Sequence, residues 1–143
     1  MAQVTIGASN AHALADGLDG VILKQNLTSN NGVALDATGF APAFIRTGHP
    51  VIYNPSVANS HKPYPLNAGG TALGTMPADH VFYGVVVNSV MKQGNAFAVG
   101  VCLRGEVNPA VKNVANGVYG IETTVLTAIK TALPLIIFRK DNE

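Results

Sequence analysis

The chain is poor in charge. Only 12% of its 143 residues are Asp, Glu, Lys or Arg, about half the roughly 25% of an average soluble protein. The formal net charge is +1, and the nine basic residues are scattered between Lys24 and Lys140 with no stripe among them. Binding a phosphate backbone needs several grouped cations that release counterions, so nucleic acid is not an expected partner. Tryptophan is absent and cysteine occurs once, as Cys102. An internal disulfide is therefore excluded. Within Val99-Gly100-Val101-Cys102-Leu103 the thiol reads as a small buried hydrophobe rather than a reactive group. The longest apolar runs, 81–87 and 96–103, fall well short of the roughly 20 residues that cross a bilayer as a helix. The first twenty residues hold no basic stretch followed by an apolar one, so no leader and no membrane association are expected, and the chain is expected in a reducing cytoplasm. In that compartment the Asn26-Leu27-Thr28 sequon is coincidence.

The patterns that carry catalysis or cofactors are missing as well. His12, His49, His61 and His80 have neither helical i, i+4 spacing nor cysteine companions, so no zinc site is expected. Asp16, Asp19 and Asp36 are not followed by a calcium loop closed by a terminal Glu. Gly69-Gly70-Thr71-Ala72-Leu73-Gly74 has the glycine spacing of a phosphate loop, but Thr75 and Met76 stand where that loop requires Lys and then Ser or Thr. Asp79-His80 invites a general-base reading; neighbours in a strand point to opposite faces, so a polar loop pair is the simpler account. No Gly-x-Ser-x-Gly elbow occurs. The chain is thus expected to be non-catalytic, with no cofactor and no metal. Arg104 and Glu106 are expected to pair with each other or across a subunit boundary, as a structural ion pair.

What is present is a 48% apolar composition and enough chain to bury one core without staples. A neutral surface of Asn, Thr, Ser, Gly and Ala loses little free energy when desolvated against a neighbour, which favours an assembled protein. Residues 1–20, sparse in aliphatics, read as a flexible arm, and 21–143 as a single β-rich domain. Gly20 to Lys24 begins a strand, and Asn31-Gly32 supplies the positive φ of a hairpin or sharp bend. Short β-prone stretches follow at 43–46 and 50–54. Four prolines and three glycines across 55–77 predict a long surface loop, with Tyr53, His61 and Tyr64 as candidate ligand contacts. The strongest β signal spans 81–90 and 96–103, read as one antiparallel hairpin about the turn 92–95. Its apolar positions exceed what one small sheet covers, so Val85, Val87, Val99 and Val101 are the candidate oligomer interface. Gly84 and Gly100 interrupt it as bulges or points of close approach. Helices are predicted at 109–115, opened by Asn108-Pro109, and at 122–133, stopped by Pro134, before a last strand at 135–138. The fold class is mainly β with one or two short helices.

From Val33 onward the order of features resembles the head decoration and head fibre families of tailed bacteriophages: Thr47-Gly48-His49-Pro50-Val51-Ile52-Tyr53, then a proline- and glycine-rich loop, then Tyr83-Gly84-Val85-Val86 leading into Gly105-Glu106-Val107-Asn108, closed by 129–138. The resemblance implies a β-tulip-like or barrel-like antiparallel domain, a homotrimer on the outer capsid surface, the major capsid protein as partner, and a role in stabilising the shell. It also implies a virion location after assembly in the host cytoplasm, with the arm 1–20 as the capsid contact. The rival expectation is a carbohydrate- or host-surface-binding head appendage that uses Tyr53, His61 and Tyr64.

Overall fold

The computed structural model describes residues 22–29, 32–70, 72–109 and 125–139. The arm 1–20, all but the first residue of the helix expected at 109–115 and the first residues of the one expected at 122–133 lie outside them. The described elements are β1 (Ile22–Thr28), β2 (Val33–Asp36), β3 (Phe44–Ile45), β4 (Pro50–Tyr53), β5 (Lys62–Pro63), β6 (Val81–Val86), β7 (Val90–Met91), β8 (Ala96–Val99), β9 (Val101–Val107), a helix α1 (Leu126–Ala132) and β10 (Ile136–Phe138). The architecture is mainly β with antiparallel sheets, as the alternating and β-branched runs predict. One pairing is parallel, that of β10 with β9.

The main sheet has the order β1-β9-β6-β4-β5, with β10 also on β9. The expected hairpin exists only at its base. β6 pairs with β9 through Val85 opposite Cys102 and Val86 opposite Val101, and the strands then part. β7 pairs with β3 and β8 with β2. Gly100 is where the chain leaves one sheet for the other. β1 and β2 follow β9 and β8 antiparallel, and bend between them at Ser29, whose N–H bonds the Val101 carbonyl while its hydroxyl accepts from the Val101 N–H. Gly32, at φ +78°, completes the bend that Asn31-Gly32 predicts.

The two faces of the main sheet are covered differently. One face carries Val85, Cys102, Val107, Ile136 and Phe138 and is packed by α1 through Ile129, which is fully buried. Leu126, Ile129 and Leu133 supply that contact at helical spacing. The opposite face carries Val51, Val86 and Val101, covered by Val33 and Leu35 of β2, by Val99 of β8 and by Ile45 of β3. Among the described residues that cover reaches along β9 as far as Leu103.

No closed barrel forms among the described strands. β5 is two residues long because Pro63 and Pro65 have no N–H to extend the ladder. Across the gap to β2 runs one backbone bond, from the Asp36 N–H to the His61 carbonyl at 2.9 Å. The stretch 55–77 is also less irregular than expected. It contributes β5, a bridge between Leu66 and Leu73 and buried side chains at Pro63, Tyr64 and Leu73.

Candidate functional site

Val85, Val99 and Val101 are 0%, 3% and 0% exposed. The chain's own β2, β3 and α1 cover them, and Val87 is half-buried against the α1 side. Val85, Val99 and Val101 are therefore core residues and not a docking surface, while Val87 packs against the core and stays partly exposed. Sequence periodicity showed that the region needed cover, but it does not say whether the cover comes from the same chain. Among the described residues the exposed large hydrophobics are Leu27, Val57, Val81, Met91, Leu135 and Ile137, and three of them belong to one sheet end. Leu27 lies opposite Arg104 and Ile137 opposite Glu106, so both project from the face of β9 that carries these two polar residues. Leu135 precedes Ile137 by two residues. The three are 52%, 55% and 61% exposed. Among the described residues, the sheet end formed by β10, β9 and β1 is thus covered by α1 on one face and left open on the other. On the open face Glu106 pairs with Arg139, 2.8 Å away, and not with Arg104 as expected.

Of the three candidate ligand contacts, the fold brings two together. The Tyr53 and His61 rings stack at 5.3 Å, and Tyr83 meets both edge-on, at 5.6 and 4.4 Å. Tyr83 is there because β6 bulges: Val51 faces Gly84 but Ile52 faces Phe82, leaving Tyr83 as the extra residue. Burial holds the His61 imidazole below its ordinary value, so the ring is neutral at physiological pH. Tyr64 is separate. Its ring is 3% exposed, stacks on Phe82 at 5.6 Å and donates its hydroxyl proton to the Gly74 carbonyl. Local patterning carries no sign of this division, because the alternation that would separate Tyr53 from Tyr64 is broken by the intervening loop.

Beside the ring cluster, and sharing the β5 backbone with it, is a groove of about 690 Å³. One wall is the segment after β2, with Asp36, Phe40 and Pro42; the other runs from Lys62 through Pro65 to Gly70. The Thr38 hydroxyl and then its N–H stabilise the Asp36 carboxylate, with Lys62 adding a weaker pull, and together they hold it below the usual carboxylate range. In the sequence Asp36 suggests no more than a calcium ligand, and its place on the groove wall depends on a long-range pairing that local sequence does not encode.

His49 is buried and donates from Nε2 to the Tyr64 carbonyl, 2.8 Å away; a carbonyl only accepts, so Nε2 carries the hydrogen. Phe40 meets its ring edge-on. His80 Nδ1 bonds the Ala78 carbonyl, in a turn where Asp79 takes φ +60°. In the glycine-rich stretch, Leu73 is bridged to Leu66, and Gly74 is needed beside it because a Cβ would stand 2.8 Å from the Leu66 carbonyl oxygen. No group of three metal-ligating side chains and no helix long and apolar enough to cross a membrane occurs among the described residues.

No family model, curated protein or solved structure matches this chain.

Proposed function

We propose that the chain is a structural assembly protein that self-associates, most simply as a homotrimer, and decorates the outer surface of a bacteriophage capsid by binding its major capsid protein. The observation that carries the assembly part is the open sheet face on β10, β9 and β1, where Leu27, Leu135 and Ile137 stand more than half exposed in a chain of unusually low charge. Large aliphatics grouped on an uncovered face favour a protein contact, and a neutral surround keeps its desolvation cost low. This face replaces Val85, Val87, Val99 and Val101 as the self-contact. The capsid part rests on the resemblance from Val33 onward, and mixing the purified chain with mature capsids of the source phage tests it. A saturable mass increase per particle, with higher resistance of the shell to heating, is the expected result. Capsids that gain no mass contradict the capsid reading and leave self-association to be judged by its own measurement.

A further inference from the structure

We infer that the groove between Asp36 and Lys62 is a binding site for a short, uncharged oligosaccharide. It lies on β2 and β5, apart from the assembly face on β10, β9 and β1, and does not depend on that reading. Its volume of about 690 Å³ is in the range of sites for small organic ligands, roughly 300–1,000 Å³.

The lining selects the ligand class. Phe40, Pro42, Pro63, Pro65, Leu66 and Pro77 present ring and aliphatic surface, which suits the C–H faces of a pyranose. Asp36 offers a carboxylate acceptor, Thr38 a hydroxyl and Lys62 an ammonium donor. One negative and one positive group face the same space, so the charged rim sums to zero. A polyanion would meet Asp36 and a polycation Lys62, whereas hydroxyls can both donate to the first and accept from the second.

Both walls are tied down before any ligand arrives. The Lys92 ammonium bonds the Phe40 carbonyl and the Lys92 N–H bonds the Ala43 carbonyl at 2.8 Å, fixing the first wall. The second is held by the Asn67 N–H to the Ala72 carbonyl at 2.9 Å and the Gly74 N–H to the Pro65 carbonyl at 2.8 Å. Four prolines among the lining residues further restrict the backbone. A preformed site loses little entropy on binding. The Tyr53–His61–Tyr83 cluster is a poorer platform, because its rings already spend contact surface on one another.

The test is an amide-shift titration of the full chain with five neutral disaccharides: maltose, cellobiose, lactose, mannobiose and diacetylchitobiose. At least one is expected to bind with a millimolar or tighter Kd and to shift amides of 36–42 and 62–70. Asp36→Asn should weaken that binding about tenfold, the effect of losing a hydrogen bond to a charged group. Ala68→Trp, at an exposed lining position, should abolish it by filling the groove while leaving the unperturbed amides in place. Absence of shifts with all five at saturating sugar overturns the proposal. So do shifts centred on Tyr53 and Tyr83, or binding that survives both substitutions.

Discussion

A histidine ring with 1% of its surface exposed makes a direct statement about pH. Burial lowers the His49 pKa to about 4 from an ordinary 6.5, against the smaller raising effect of its bond to the Tyr64 carbonyl. Between those values the unfolded chain binds a proton that the folded chain refuses. Stability is therefore expected to be full above pH about 6.5, to decline as pH falls toward 4, and to level off below, by at most about 3 kcal/mol. Urea midpoints measured across that window for the wild type and for His49→Gln check this, and an equally steep decline in the variant would assign the slope to other groups. A second residue-scale expectation concerns Gly84. A Cβ there would stand 2.5 Å from the Cys102 carbonyl oxygen, whereas at Gly100 the nearest atom is the Thr28 Cγ2 at 3.6 Å. Gly84→Ala should cost about 2 kcal/mol or more, because backbone must move, and Gly100→Ala under about 1 kcal/mol. Thermal melts of the two variants compare them directly. Cys102, fully buried and with its thiol pKa raised chiefly by burial, should label only in denaturant; rapid labelling of the folded chain would contradict its core position.

At the scale of elements, strands were legible wherever apolar and β-branched residues ran together, as in β4 and β6, whereas the strand expected over 96–103 breaks at Gly100 and its second part, β9, continues through the polar Arg104 and Glu106 to Val107. The helix was legible from Leu126, Ile129 and Leu133, whose spacing puts them on one face. Ile129→Ala is expected to lose about 2–4 kcal/mol, and Lys130→Ala, on the exposed side, close to nothing, as urea unfolding of both would show. Partner choice was not legible. Local patterning draws 81–90 and 96–103 as one hairpin, but β7 and β8 leave it for β3 and β2, since those partners let Val33, Leu35 and Ile45 close the core. The same long-range pairing sets Asp36 beside Lys62 across the groove. It also leaves Glu106 to Arg139, from the far end of the chain, instead of to Arg104. Two of the three rings in the candidate cluster, Tyr53 and His61, were foreseeable. Tyr83 was not, because a bulge delivers it.

For the whole molecule, the account turns on what covers the open face of β10, β9 and β1. Low charge argued for assembly from composition alone. The valines of β6, β8 and β9 are buried by the chain itself, so the proposed self-contact falls on Leu27, Leu135 and Ile137, which are more than half exposed. The most direct measurement is the native mass of the full chain at micromolar concentration, by light scattering or mass spectrometry, for the wild type, Ile137→Asp and Leu135→Asp. These exposed positions tolerate a charge in the monomer, but a charge buried without a partner at a subunit contact costs several kcal/mol. The account predicts a wild-type oligomer, most simply a trimer, and a shift of both variants to monomer with the far-UV spectrum preserved. A wild type that is monomeric throughout, or variants that keep the wild-type mass, would contradict it.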